Sequence, residues 1–113
     1  LNYVVNICKL DNFINSLQDG LNTSVGELGK KISGGQKQRI GIARALYSLP
    51  KILILDEATN ALDEKTEKEI FQNLKEIQKE MNLTIIIVSH NSSIDMCDKI
   101  YKIDNNKLKL INE

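Results

Sequence analysis

Two short apolar, β-branched runs flank a long amphipathic stretch, and few folds accommodate that order. The first run, Lys51 to Asp56, reads K-I-L-I-L-D, and the second, Leu83 to Val88, reads L-T-I-I-I-V. Four unbroken apolar residues, Ile52 to Leu55, predict a strand covered on both faces, as in a parallel sheet. Between the runs, Glu64 to about Met81 carries Ile70, Leu74, Ile77 and Met81 along one helical stripe. Its outer face alternates charge, with Lys65 near Glu69. Such a helix spans ~27 Å and the strand about 20 Å, so strand, helix and strand close into a right-handed βαβ unit. The expected fold class is therefore α/β.

The rest of the chain fits around this unit. Leu1 to Leu17 is apolar at helical spacing (Val4, Ile7, Leu10, Phe13, Ile14, Leu17), which predicts one or two short helices with Asp11 as a cap between them. Asp19-Gly20 marks a turn, and a polar loop runs from Leu21 to Lys31. A helix over Lys37 to Ser48 is expected to turn Ile40, Ala43, Leu46 and Tyr47 toward a packed side. Pro50 separates it from the first strand. Ser92 to Cys97 reads as a short helix. Lys99 to Asp104 and Lys107 to Ile111 read as paired strands turning at Asn105-Asn106.

Chemistry concentrates at three places. Ser33-Gly34-Gly35-Gln36 opens the helix that precedes the first strand. Adjacent glycines there sacrifice roughly 1 kcal/mol of helix propensity each. In return they leave bare backbone amides at the positive end of a helix dipole, a natural anion site. Ser33 and Gln36 also fit a capping box, which by itself would be an ordinary helix start. Asp56 and Glu57 stand at the C-terminal end of the first strand, and Ser89-His90 ends the second. Ligands of open α/β sheets bind at that rim. Asp56 is placed to hold Mg²⁺ through water. If the extended geometry persists, alternation turns Glu57 away from Asp56, toward an attacking water that it can orient and deprotonate. His90 can donate to a phosphate oxygen. Each residue also has a plainer reading. The two acids could simply end a strand, Asp63 could be only the N-cap of the next helix, and His90 could be a loop residue.

Composition removes several alternatives. Lys plus Arg equals Asp plus Glu at 15 each, against a generally basic nucleic-acid binder. Charged residues at 27% and apolar residues at 42% suit a globular chain rather than a disordered one. No apolar run approaches the ~20 residues that span a bilayer, and no signal-peptide pattern opens the chain. Because the first residue is Leu1 and the pattern around it is already structured, the chain is expected to begin in mid-protein. Cys8 and Cys97 stand far apart with a single histidine, so two free thiols in a reducing compartment are expected rather than a zinc site. Gly29-Lys30 does not complete a phosphate loop. Ser24 and Lys31 stand where G-x-x-x-x-G-K-[ST] requires Gly and Ser or Thr, and no other such motif occurs.

Taken in order, the motifs resemble an ABC transporter nucleotide-binding domain. The match rests on Ser33-Gly34-Gly35-Gln36, Gln38-Arg39, Ile42-Ala43-Arg44-Ala45-Leu46, Ile52-Leu53-Ile54-Leu55-Asp56-Glu57-Ala58-Thr59, Ala61-Leu62-Asp63 and Ser89-His90, roughly from position 17 to 104. Thr23-Ser24-Val25-Gly26-Glu27-Leu28-Gly29 further resembles the X-loop of exporter-type members, a segment that touches the coupling helices of the membrane domain. Ile32 departs from the usual Leu and Asn60 from the common Ser.

The resemblance implies a partial P-loop NTPase fold. Residues 1–49 would form the helical, signature-bearing subdomain, and residues 50–113 the parallel-sheet part of the ATP-binding core with a hairpin at its end. It also implies roles. Ser33, Gly34, Gly35 and Gln36 would bind the γ-phosphate of ATP held by an opposite subunit, and Asp56 would serve the Mg²⁺ site. Glu57 would be the catalytic base, Asp63 the aspartate that crosses the dimer interface, and His90 the switch histidine. The family's base-stacking aromatic residue, Walker A lysine and Q-loop glutamine have no counterpart in this sequence. The isolated chain is accordingly expected to bind ATP weakly and not hydrolyse it, and its sheet to leave one face or edge uncovered. The leading expectation is the C-terminal part of an ABC exporter at the cytoplasmic face of a membrane. It would pair with a second nucleotide-binding domain and a transmembrane domain, with no nucleic acid. The alternatives are a soluble ABC ATPase of the DNA repair or chromosome class, or a non-enzymatic remnant that only binds a partner.

Overall fold

The computed structural model describes residues 1–24, 26, 32–90 and 95–112. Two short helices, α1 (Asn2–Ile7) and α2 (Asp11–Asn15), and a 3-10 turn (Gly20–Asn22) precede the longer α3 (Gly34–Tyr47). Then follow β1 (Ile52–Asp56), α4 (Glu64–Met81), β2 (Thr84–Val88), β3 (Ile100–Asp104) and β4 (Lys107–Asn112).

The βαβ unit forms as the apolar runs require. β1 and β2 pair in parallel from Ile52 opposite Thr84 to Asp56 opposite Val88, so their C-terminal ends lie side by side. α4 starts at Asp63, whose Oδ2 accepts from the Thr66 amide at 2.9 Å, and ends at Asn82, which takes the left-handed conformation at φ 50°. Its buried stripe is Ile70, Phe71, Leu74 and Ile77, while Met81 is only partly buried. The outer-face charges pair differently from the expectation. Lys68 reaches Glu64 one turn back at 2.6 Å, and Glu69 meets Lys9 at 3.5 Å.

One continuous core joins the helical residues to the sheet. Val5, Ile7 and Cys8 from the first helix and the residue capping it pack with Ile42 and Leu46 of α3, Leu53 and Leu55 of β1, and Ile70 and Leu74 of α4. α3 begins earlier than the expected Lys37, because the glycines themselves form its first turn under the Ser33 cap. Of the residues expected on its packed side, Leu46 is buried and Ile40 and Ala43 pack partly buried against the core; Ile42 is buried with them, whereas Tyr47 is 62% exposed at the last residue of the helix. Asp11 does not cap α2. It lies inside the first turn, after Leu10.

The sheet is covered on one face only. Leu53 and Leu55 are buried, but Ile52, Ile54, Ile86 and Val88 are exposed. The two-sided burial expected from the unbroken apolar run is therefore absent among the described residues, and the sheet has an uncovered face, one of the two outcomes expected. The hairpin forms as its turn residues require. β3 and β4 pair antiparallel, with Asn105 and Asn106 both at positive φ (50° and 59°), the backbone that a two-residue hairpin turn demands. The expected helix over Ser92 to Cys97 lies partly outside the described residues; Asp95 and Met96 have 3-10 geometry. Most of the expected X-loop, Val25 and Glu27 to Gly29, also lies outside them, as does Lys30 of the incomplete phosphate loop.

Candidate functional site

The site is built on a rim and a turn. The rim is the paired C-terminal ends of β1 and β2. Asp56 ends β1 with an exposed side chain, directly opposite Val88. Glu57 follows, but not in the extended geometry that alternation assumed. It takes φ 47°, a left-handed conformation unfavourable for a residue with a Cβ. The re-aiming of Glu57 relative to Asp56 is thus done by a backbone reversal, not by the strand's pleat. Its amide remains in the ladder and donates to the Val88 carbonyl at 2.9 Å. Its carboxylate Oε1 lies 3.1 Å from His90 Nε2, with both side chains open to solvent. His90 therefore meets Glu57 itself, a contact that sequence order gave no reason to expect.

The turn is Ser33 to Gln36. Ser33 Oγ accepts from the Gln36 amide at 3.1 Å, and Gln36 Oε1 accepts from the Ser33 amide at 2.9 Å. The capping box is complete, so the plain reading of these two residues is correct as far as the fold is concerned. The glycines add a second constraint. A Cβ on Gly35 would lie 3.1 Å from the Ala61 carbonyl oxygen and 3.2 Å from Leu62 Cδ2. A Cβ on Gly34 would meet only the Ala61 methyl, at 3.4 Å. The turn is thus pressed against the loop that leads from Glu57 to Asp63.

That loop is fixed from several sides. Gln38, one turn into α3, donates through Nε2 to the Glu57 carbonyl at 3.3 Å and to Asn60 Oδ1, and its Oε1 accepts from the Ala61 amide at 2.9 Å. Thr59 is buried and donates to the buried Glu67 carboxylate at 2.6 Å. Asp63 closes the loop as the cap of α4. The Thr66 amide, and then its hydroxyl at 2.7 Å, hold the Asp63 carboxyl below the usual carboxylate range. Both Asp63 oxygens are thus engaged by Thr66. Gln38 and Glu67 were not singled out from the sequence. Gln38 stood within a quoted motif, and the only other signal was a polar residue one turn beyond a helix-opening glycine pair.

Chemically, the rim offers one exposed carboxylate for a cation, a second carboxylate beside an imidazole, and a helix start with free amides nearby. A single rim carboxylate suits Mg²⁺, which is commonly held by one or two carboxylates together with substrate phosphates. Among the described residues, no group of three or more His, Cys, Asp or Glu side chains is arranged to hold a metal. No helix among them is long and apolar enough to cross a membrane.

Comparison with known proteins adds an independent line. Residues 8–60 match the ABC transporter family, a span that contains both the glycine turn and the Asp56-Glu57 rim. A protein of Rickettsia typhi named as an export ATP-binding/permease protein is 47% identical over 108 residues, covering 96% of this chain and 19% of that protein. The alpha-hemolysin translocation ATP-binding protein HlyB of Escherichia coli is 45% identical over 107 residues, 94% of this chain and 15% of its own length. Multidrug resistance protein 1 of Plasmodium falciparum is 48% identical over 103 residues, 90% of this chain and 7% of that protein. The chain therefore spans about a fifth or less of the relatives it matches. Among solved structures, that of a bacterial Atm1-family ABC exporter with ATP bound superposes at a TM-score of 0.82 with 40% identity, over 93% of this chain and 18% of that one. The fold is accordingly a partial ABC ATPase fold of the P-loop type, and the chain belongs to the ABC transporter family, as part of a nucleotide-binding domain of the exporter type.

Proposed function

We propose that this chain is the signature-bearing part of an ABC exporter subunit that hydrolyses ATP to drive transport across a membrane. Residues 1–49 serve as its helical portion and residues 50–113 as part of its ATP-binding core. The observation that carries the reading is the 3.1 Å contact of His90 with Glu57 at the rim, with the Ser33–Gln36 turn seated on the adjoining loop. Two such domains pair head to tail. Ser33, Gly34, Gly35 and Gln36 of one copy bind the γ-phosphate of the nucleotide held by the other, with the glycine amides, which the capping box leaves free, as main-chain donors. Asp63 lies at the interface between the copies. Asp56 holds Mg²⁺, which when bound neutralises charge on the phosphate oxygens. Glu57 orients the attacking water and accepts its proton, and His90 steadies the carboxylate through Nε2 and can donate to a phosphate oxygen. The nucleotide-binding domain works at the cytoplasmic face of the membrane with a transmembrane domain as its partner. The export names of the relatives favour this reading over a soluble ATPase of DNA repair or a partner-binding remnant.

Two measurements test it. In the intact subunit, Glu57→Gln is expected to reduce turnover at least 100-fold while ATP is retained, the loss typical of a general base; normal hydrolysis by that variant would remove Glu57 from the role. The 113-residue chain alone is expected to show no hydrolysis above background, because no lysine-bearing phosphate loop occurs in its sequence. Robust turnover by the chain alone would refute that account.

A further inference from the structure

We infer that Gln38 is a positioning residue for Glu57, carrying the placement of α3 to the main chain of the catalytic carboxylate; this rests on the role proposed above for Glu57. The argument starts from the backbone. Glu57 is held at φ 47°, a conformation that costs energy and persists only where its surroundings over-determine it. Two peptide groups flank its Cα, and each is tied to a different element. The preceding one donates its N–H to Val88 on β2 at 2.9 Å. The following one offers its carbonyl to Gln38 Nε2 on α3 at 3.3 Å, with only a long 3.4 Å turn contact from the Asn60 amide besides. Gln38 is thus the side chain that pins the second peptide.

The partners also fix the orientation of the Gln38 carboxamide. A backbone carbonyl needs a donor and the Ala61 amide needs an acceptor, so Nε2 must face Glu57 and Oε1 must face Ala61. Asn60 takes the other Nε2 proton. Both donors and one acceptor site of one side chain are therefore directed at residues 57 to 61. The side chain lies two residues beyond Gln36, on the same helix whose first turn is proposed to meet phosphate. A shift of α3 when its N-terminus engages phosphate is passed by this carboxamide to the peptide that aims Glu57. No other side chain in the described residues joins α3 to the Glu57 main chain by a hydrogen bond.

The test is steady-state ATP hydrolysis by the intact subunit carrying Gln38→Glu. This change keeps the side-chain length and the acceptor for Ala61, and Asn60 can rotate its amide to donate. What is lost is the donor to the Glu57 carbonyl, which then faces an oxygen. The expected result is a kcat lowered about tenfold or more with KM for ATP within about threefold and the melting temperature unchanged. Made in the Glu57→Gln background and measured by single turnover, the same change is expected to have no further effect, because sites that act as one unit are not additive. Gln38→Met, which keeps length but no polar atom, is expected to repeat the kcat loss and guards against a folding defect peculiar to the added charge. Turnover within twofold of the unaltered subunit in either variant would overturn the proposal, as would a loss confined to KM, a loss matched by lowered stability, or a full tenfold effect in the Glu57→Gln background. If Glu57→Gln itself turned over normally, the reading of Glu57 as base would fail first, and that outcome is distinct from a silent Gln38.

Discussion

Gly34 and Gly35 are neighbours of the same residue type in the same helical turn, yet the structure assigns them different tolerances. Replacing either with alanine recovers helix propensity, at most about 1 kcal/mol and less in a first turn. That term is nearly the same for both and cancels in their difference. Packing does not cancel. The new methyl at Gly34 would touch the Ala61 methyl at 3.4 Å, an ordinary contact. The new methyl at Gly35 would press on the Ala61 carbonyl at 3.1 Å and on Leu62 at 3.2 Å. That carbonyl has little room to retreat. The Ala61 amide is held by Gln38, and the Leu62 amide donates to Thr59 at 3.0 Å. Overpacking of this kind costs about 1–3 kcal/mol. Gly34→Ala is therefore expected to be neutral or slightly stabilising, and Gly35→Ala to be less stable than Gly34→Ala by about 1–3 kcal/mol. Urea unfolding of the two variants followed by far-UV circular dichroism, with m-values compared to confirm a common transition, measures the gap directly. A Gly35→Ala variant as stable as Gly34→Ala would show that the loop yields freely, and the claim that the glycine turn is seated on it would be lost.

Two further predictions concern buried groups. Glu67→Ala leaves the buried Thr59 hydroxyl without its acceptor and is expected to cost about 1–3 kcal/mol in the same unfolding assay, whereas Glu64→Ala, which breaks only an exposed pair one turn earlier, is expected to be near neutral. Burial pushes the Cys8 thiol up to about 12, with Arg39 opposing only in part. Its folded value thus lies above the ordinary 9.0, so its stabilising contribution is complete below pH 9 and is lost progressively as pH rises from 9 toward 12. Alkylation of the native chain at pH 8 followed by peptide mapping is expected to modify Cys97 ahead of Cys8.

What the sequence made legible follows from how locally each feature is determined. The βαβ unit was readable because the β-branched runs and the stripe Ile70, Leu74, Ile77 are periodic signals that need no partner to interpret. The hairpin was readable because Asn105-Asn106 supplies the two positive-φ residues its turn requires. The caps at Ser33 and Asp63 were readable because their partners lie three residues away. The misses all depend on distant contacts. Tyr47 was placed inward and Ile42 passed over because the limits of the buried face of α3 are set by packing against α1 and β1, not by its own weakly amphipathic pattern. Glu67 looked like one more surface charge until Thr59 came to lie over it. The reversal at Glu57 could not be read from Asp56-Glu57-Ala58, since Val88, Gln38 and His90 together hold it, and they stand 19 or more residues away.

Outside α3's buried face, what the sequence did not show shares a location. Gln38, Glu67 and the reversed Glu57 all belong to the contact between the glycine turn and the loop from β1 to α4. From the sequence alone, the glycines looked like bare backbone reserved for an anion. The structure gives Gly35 a second reason to lack a side chain, because the Ala61 carbonyl occupies that space. The two reasons are compatible. Amides at the start of α3 remain on its N-terminal end, while the Cα of Gly35 rests on the loop. A turn proposed to carry amides for a phosphate, and wedged against the loop bearing Glu57, cannot move alone. Any ligand that draws the turn forward must load the Gln38 and Ala61 contacts as well. Under the proposed roles, coupling between phosphate engagement and the orientation of Glu57 follows from close packing across a few ångströms and requires no conformational signal routed through the rest of the domain.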